Sequence, residues 1–127
     1  MKMKIQESQE NYLERILMIE EEKGQVRSVD IANSMNFSKP SVSVAMKKLS
    51  EKGYVTFTPD SYIVLTKKGK EIAQRVYERH KLLSAILIAL GVPEEIAKED
   101  ACRIEHDLSK ESFEAIKRHY KKHKEDY

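Results

Sequence analysis

The order of the predicted elements places this chain in the mostly α-helical class, and three observations support that prediction. A short helix, a tight turn and a second helix are predicted in succession over residues 28–53. A β-hairpin pattern, "YVTFTPDSYIVLT", comes directly after them, and three further helical segments occupy the remainder of the chain. The first two observations together predict an N-terminal winged helix-turn-helix, in which the helix after the turn can enter the major groove of DNA.

The first two helices are indicated by apolar periodicity and by their end signals. Apolar side chains recur at helical spacing over residues 7–23, and Gly24 is suited to end this helix. Residues 28–36 form a shorter periodic stretch, for which Ser28 is the expected N-cap.

The third helix and the hairpin are bounded in the same way. Ser38 is expected to cap the helix, Pro40 suits its first turn, where a missing N–H costs nothing, and Gly53 is expected to end it. Two β-rich runs then flank a turn at residues 59–61, which predicts the two-stranded wing.

The second half of the chain consists of three predicted helices. Thr66 is expected to cap the first, which is expected to end at Leu90. The next runs from Pro93 to about Leu108, and the last begins at Ser109.

Charge is unevenly distributed along the 127 residues, although the net charge is only +2. Residues 39–81 carry ten Lys and Arg against four Asp and Glu, whereas residues 7–22 carry six Glu against one Arg. Such a basic block is typical of a DNA-facing surface, with a merely solvated lysine-rich face as the alternative. We therefore expect residues 1–72 to form a DNA-binding domain and residues 73–127 a separate helical domain.

Composition excludes several other classes. The only cysteine, Cys102, cannot form an internal disulfide and fits a reducing cytoplasm. The start, "MKMKIQESQ", is too polar for a signal peptide, and the longest apolar run, at residues 82–90, is too short to span a bilayer. We expect a soluble, cytoplasmic protein with no membrane partner.

The helix that begins after Ser38 is expected to contact double-stranded DNA. Its proline and its small serines suit thymine methyl groups and phosphates, and its lysines can reach the phosphates. The residues expected at the DNA are Ser28, Ser38, Lys39, Pro40, Ser41, Ser43, Lys47 and Lys48.

The run "LLSAILIAL" at residues 82–90 predicts a homodimer. A helix that is apolar on every side must be covered on more than one face, and a second copy of so small a chain is the expected cover. A homodimer would present two recognition helices to a palindromic operator. The residues expected at the dimer contact are Leu83, Ile86, Leu87 and Leu90.

The segment "DACRIEHDL" carries three side chains of chemical interest. Cys102, Glu105 and His106 stand at i, i+3 and i+4, so a helix would place thiol, carboxylate and imidazole on one face. A metal site, a reactive thiol and a chance polar cluster all remain possible. Because this face lies about 120° from the apolar stripe, Cys102 is not expected to fill the core. That stripe is formed by Ala97, Ala101, Ile104 and Leu108.

Two other segments supply possible partners for this trio. Asn11 and Glu14 offer oxygen atoms at i, i+3 on the first helix, and His80 lies on the apolar side of the long helix. A lone histidine there is more often a hydrogen-bonded core residue than a ligand. Together, however, these groups suit a divalent transition metal ion. The paired Cys/His spacings of a zinc finger are missing from the sequence.

Over nearly its whole length, the chain resembles the diphtheria-toxin-repressor and manganese-transport-regulator family. The segments that carry the resemblance are "ENYLERIL", "VRSVDIANSMNFSKPSVSVAMKKLSEKGYV", "LTKKGKEIAQRVYERHKLL" and "EDACRIEHDLS". It implies a homodimeric repressor that binds operator DNA when Fe²⁺ or Mn²⁺ is bound, and that controls metal homeostasis genes. The second half would then be a metal-binding and dimerisation domain.

The resemblance also implies the metal ligands by position. They would be Asn11, Glu14, His80, Cys102, Glu105 and His106. Cys102 is the residue of the iron branch, since the manganese branch has Glu there, whereas Asn11 departs from the Met of the iron branch and the Asp of the manganese branch. Fe²⁺ or Mn²⁺ is therefore expected, and Zn²⁺, Co²⁺ or Ni²⁺ would also suit the ligands.

Two alternative functions belong to other classes. A winged-helix DNA binder could be gated by oxidation of Cys102 or by another non-metal signal. A metalloenzyme would need a nucleophile–base pair or a comparable catalytic arrangement, and the sequence contains neither such a pair nor a glycine-rich loop. We therefore expect a protein that is not an enzyme and that binds no small organic ligand.

Overall fold

The computed structural model describes residues 2–126, with side chains described for residues 7–123, 125 and 126. Within these residues, six α-helices and one antiparallel pair of strands confirm the mostly α-helical class and the winged helix-turn-helix order. The elements are α1 (Lys2–Lys23), α2 (Ser28–Met35), α3 (Lys39–Glu51), β1 (Val55–Phe57), β2 (Ile63–Leu65), α4 (Lys67–Ala89), α5 (Glu94–Ile104) and α6 (Lys110–His123), followed by a 3₁₀ turn (Lys124–Asp126).

Residue contacts divide the chain into two compact units, Met1–Arg75 and Val76–Tyr127, and the division falls within α4. In the first unit, Val42, Met46 and Leu49 are buried at i, i+4 and i+7 of α3. Since these side chains occupy one side of the helix, its opposite side is left to solvent. The core that they join contains Leu13, Ile16, Val26, Ile31 and Val55.

The wing is a short hairpin that is buried on one face. β1 and β2 pair with Val55 opposite Leu65 and Phe57 opposite Ile63. Ile63 and Leu65 are buried while Val64 between them is exposed, which is the alternation expected of a half-buried strand. The Ile63 N–H also donates to the Val26 carbonyl at 2.7 Å, which ties the wing to the segment before α2.

The N-caps predicted at Ser38 and Thr66 are confirmed by hydrogen bonds, and the one predicted at Ser28 is wrong; Ser109 caps the helix that was expected to begin there. The hydroxyl oxygens of Ser38, Thr66 and Ser109 each accept from the backbone N–H three residues later. At α2, by contrast, Ser28 is already the first helical residue and Arg27 is the N-cap. The reason is Asp30, whose carboxylate accepts from the Arg27 backbone N–H at 2.9 Å and so starts the helix one residue earlier.

Gly69, in the first turn of α4, permits a close approach to Tyr54, the residue before β1. A Cβ at this position would collide with the backbone carbonyl of Tyr54. Only glycine can therefore bring the start of α4 so near to the start of the wing.

In the second unit, α5 is shorter than predicted and its buried side is rotated. The helix ends at Ile104 rather than near Leu108, because the hydrogen bond from Asp107 N–H reaches only three residues back, to the Ile104 carbonyl. Ala97 and Ala101 are buried as expected, but Ile104 is 41% exposed and Glu105 is buried in its place. The predicted apolar stripe is therefore wrong at Ile104.

The apolar run of α4 is divided between the interior of the second unit and its surface. Leu83 is buried, Ile86 and Leu87 are half-buried, and Leu90 is 62% exposed. Other large apolar side chains that remain exposed in this unit are Ile88, Ile96 and Ile104. No helix of the described residues has the length and apolar character needed to cross a bilayer.

Candidate metal centre and DNA-facing surface

In the second unit, the buried carboxylate of Glu105 lies between two histidine side chains, His80 and His106. The Glu105 side chain is 0% exposed; its Oε2 lies 3.2 Å from His80 Nδ1, and its Oε1 lies 3.3 Å from His106 Nε2. A buried anion is costly unless a positive charge or strong donors compensate it. Both imidazoles therefore lie against the same carboxylate, although His80 is 25 residues before Glu105 in the sequence and His106 directly follows it.

Cys102 completes a set of donor atoms that is compact enough for one ion. The ligand atoms of Cys102, Glu105 and His106 all lie within 4.8 Å of one another. Bonds from transition metals to nitrogen, oxygen and sulfur are about 2.0–2.3 Å long, so two ligands of one ion stand at most about 4.6 Å apart. Small side-chain adjustments would therefore bring all three atoms onto one ion.

The chemistry of the donor set also fits a metal ion. Among the described residues, neither buried Glu105 oxygen accepts a hydrogen bond, although an imidazole nitrogen lies within 3.3 Å of each. A divalent cation would supply the charge that this buried carboxylate needs. Imidazole, carboxylate and thiolate together are of intermediate softness, which suits a first-row transition metal.

The predicted spacing brings the trio together, although not on a regular helix. Glu105 is the C-cap of α5 and keeps a helical backbone, with φ −61° and ψ −30°. His106 follows in the turn beyond the helix end. The i, i+3, i+4 pattern survives because the chain continues to wind for one further turn.

The two candidate ligands of α1 occupy different environments. Glu14 is buried, whereas Asn11 is half-buried. Asn11 lines a groove of about 310 Å³ beside Met35 and Phe37 at the end of α2.

The exposed side of α3 carries most of the residues that were expected at DNA. Those exposed are Ser38, Lys39, Pro40, Ser41, Ser43, Lys47 and Lys48, while Ser28 at the start of α2 is half-buried. The Ser38 hydroxyl donates to Ser41 Oγ at 2.8 Å, so both hydroxyls already take part in the helix cap.

Two further exposed residues of the first unit, one on α3 and one beside the wing, were missed by the sequence analysis. Val44 is 56% exposed on α3, and an apolar side chain in this position suits a thymine methyl group. Arg27 stacks 4.3 Å above the ring of Tyr62, and the hydrogen bond with Tyr62 raises the pKa of Arg27. Residues 54–66 contain no Lys or Arg, so Arg27 supplies a positive charge to the wing. Helical periodicity could have identified Val44, because it lies two residues after buried Val42 and therefore on the opposite side of α3.

A winged helix-turn-helix with an exposed basic helix, together with a second unit that contains a compact set of metal-ligand atoms, defines a DNA-binding regulator with a metal centre. Comparison with known families supports this class. The N-terminal DNA-binding domain of iron-dependent repressors matches residues 4–63, and their metal binding and dimerisation domain matches residues 66–127. The chain belongs to the iron-dependent repressor family of metal-dependent transcriptional regulators.

Individual relatives agree with this assignment. The chain is 39% identical over 113 residues to an HTH-type transcriptional regulator of Methanocaldococcus jannaschii, which covers 87% of this chain and 90% of the relative. It is 40% identical over 109 residues to the transcriptional regulator MntR of Bacillus subtilis, which covers 86% of this chain and 77% of the relative. Among solved structures, the manganese regulator SloR superposes with a TM-score of 0.79 at 29% identity, over 89% of this chain and 53% of that one. The present chain thus spans about half the length of that solved structure.

Proposed function

We propose that this protein is a metal-gated repressor that binds palindromic operator DNA as a homodimer and controls genes of metal homeostasis. The single observation that carries the proposal is the buried Glu105 carboxylate between the imidazoles of His80 and His106. It lies in the part of the chain that matches a metal-binding domain, and the exposed basic helix lies in the part that matches a DNA-binding domain. The protein would act in the cytoplasm as a regulator, without a catalytic activity.

The proposed ligand set has two sources. His80, Cys102, Glu105 and His106 are supported by their geometry in the second unit. Asn11 and Glu14 are added by the resemblance alone, which matches them to ligand positions of the family. Fe²⁺ and Mn²⁺ are the proposed ions. The Cys102 thiolate favours Fe²⁺, whereas the name of the MntR relative favours Mn²⁺.

Control of DNA binding by the metal ion follows from thermodynamic linkage between the two binding events. Metal can promote DNA binding only if it binds the DNA-competent state of the protein more tightly than the other states. DNA must then increase metal affinity by the same factor. Coupling free energies of this kind are about 1–3 kcal/mol, which corresponds to about a 5- to 150-fold increase in affinity.

Operator binding with and without metal tests the proposal. A palindromic duplex would be selected from a random library with the metal-loaded protein and then titrated by fluorescence anisotropy under anaerobic, reducing conditions. Mn²⁺ or Fe²⁺ should tighten binding about 5- to 150-fold relative to a chelator. Equal affinities in metal and chelator, with a change only when Cys102 is oxidised, would support the redox-gated alternative instead.

Lys47 should contribute to DNA affinity without reading the sequence. Its exposed ammonium on α3 can reach a phosphate, so Lys47→Ala should weaken binding to all duplexes similarly and reduce the salt slope of log affinity by about one. Anisotropy titrations at several salt concentrations measure that slope. Lys98→Ala, which removes an equal charge from α5, should leave the slope unchanged. A changed sequence preference with an unchanged slope would place Lys47 at the bases.

A further inference from the structure

One side chain of α4 holds both ends of the turn that follows α5. Arg79 Nη1 donates to the Glu105 carbonyl oxygen at 2.9 Å and to the Leu108 carbonyl oxygen at 2.9 Å. The residues between these two carbonyls include His106. A single guanidinium therefore fixes the backbone that carries two of the proposed metal ligands.

The bond to the Glu105 carbonyl satisfies a group that a helix end leaves without a partner, and the bond to the Leu108 carbonyl holds the far end of the turn. The last carbonyls of a helix have no intrahelical donor, and α5 ends just before Glu105. A positive charge beside these carbonyls also interacts favourably with the negative end of the helix dipole. Bonds from a charged donor are roughly twice as strong as neutral ones, so the turn should be held firmly.

The guanidinium itself is held by α6. Its central carbon lies 5.0 Å from the centre of the Phe113 ring, and Phe113 is buried. Stacking on a buried ring restricts a side chain that otherwise has many rotamers. The preceding residue of α4, Glu78, forms a separate 2.9 Å ion pair with Lys117 of α6 and raises the pKa of that lysine.

We propose that Arg79 is a positioning residue of the metal centre. By holding the turn, it presents the Glu105 carboxylate and the His106 imidazole beside His80 before an ion arrives. Because His80 follows Arg79 directly on α4, the same helix supplies both a ligand and the support of two others. A ligand set that is already ordered loses less conformational freedom on binding. The inference rests on the proposed function, since it assumes that these residues bind metal.

Replacing Arg79 by methionine tests the role, because Arg79→Met keeps an apolar stem and removes every donor. Loss of an outer partner of a ligand typically costs 10- to 100-fold in metal affinity, and we expect a loss of about that size for Mn²⁺ and Co²⁺. Competition with a fluorescent chelator measures the affinity. The visible absorption of the Co²⁺-saturated protein should also change, because the ligands would be differently arranged around the ion.

The matched control is Glu78→Gln, which removes the neighbouring link between α4 and α6. Exposed ion pairs contribute little, so its metal affinity should stay within about twofold of the wild type. If Arg79→Met lowers only the thermal stability of the metal-free protein, with affinity and Co²⁺ spectrum unchanged, the positioning role is refuted. Equal losses in Arg79→Met and Glu78→Gln would refute it as well.

Two further variants keep the test decisive. Should Arg79→Met fail to fold, affinity should decline in the order wild type, Arg79→Lys, Arg79→Gln, because lysine retains a charged donor and glutamine a neutral one. Wild-type affinity in both would overturn the inference. His106→Ala distinguishes a failure of the Arg79 proposal from a failure of the proposed metal centre. If this variant binds metal as tightly as the wild type, the proposed metal centre itself is wrong.

Discussion

Replacing His106 by alanine is expected to abolish the metal-stimulated part of operator binding. The imidazole side chain is 3% exposed and lies 3.3 Å from the Glu105 carboxylate, so its loss removes a ligand from the interior of the proposed centre. The whole coupling of about 1–3 kcal/mol should disappear, which is a loss of about 5- to 150-fold in operator affinity at saturating metal. Weak, salt-sensitive binding to any duplex should remain, because the exposed face of α3 is unchanged.

Anisotropy titrations of the selected operator at several metal concentrations measure this effect. His123→Ala is the matched control, since it removes an imidazole that is paired with Asp126 at the end of α6 rather than with Glu105. The control should respond to metal like the wild type. If His106→Ala also responds like the wild type, the ion that gates DNA binding is held elsewhere.

A charge placed on the apolar surface of the second unit is expected to separate the homodimer into monomers. Leu90 is largely exposed in the single chain, so Leu90→Asp should leave the fold of each subunit intact. It should destabilise the dimer if Leu90 lies in the interface. An unpaired carboxylate buried between two copies costs several kcal/mol, enough to shift a dimer to monomer at micromolar concentration. Leu87→Asp and Ile86→Asp alter half-buried positions, so at least one of them should yield monomer or insoluble protein.

Size-exclusion chromatography with light scattering gives the mass of each variant. Val64→Asp, which places the same charge on an exposed apolar position of β2, should remain dimeric. The monomeric variants should also lose operator affinity, because a palindrome is bound by two recognition helices at once. Dimers of unchanged mass for both Leu90→Asp and Leu87→Asp would move the interface away from the end of α4.

Local signals in the sequence were sufficient for the order of elements. Ser38 and Thr66 cap their helices as predicted, and Ser109 caps the helix expected to begin there, because a hydroxyl that accepts from the N–H three residues later needs only its immediate neighbours. The wing followed from alternating β-rich runs around a turn for the same reason. The Ser28 cap failed where two local signals competed, since the Asp30 carboxylate accepts from the Arg27 backbone N–H and the helix begins one residue earlier.

The tertiary structure decided what the candidate site looks like. Helical spacing correctly predicted that Cys102, Glu105 and His106 lie close together. It also predicted that they lie away from the core, and so it missed the burial of Glu105. The Glu105 carboxylate lies against His80, which belongs to another helix, and Glu105 itself stands just beyond the early end of α5. Periodicity within one helix contains no information about either.

Tertiary contacts also decided which residues of the apolar run in α4 are buried, and which side chain holds the turn after α5. The composition of residues 82–90 showed that more than one face must be covered, whereas packing decided that Leu83 belongs to the interior and Leu90 to the surface. No sequence pattern marked Arg79, because its two acceptors are backbone carbonyls 26 and 29 residues away. Sequence by itself determined elements, caps and donor types, since these depend on neighbouring residues. Which donors converge, and which side chains hold them, was decided by contacts between distant segments.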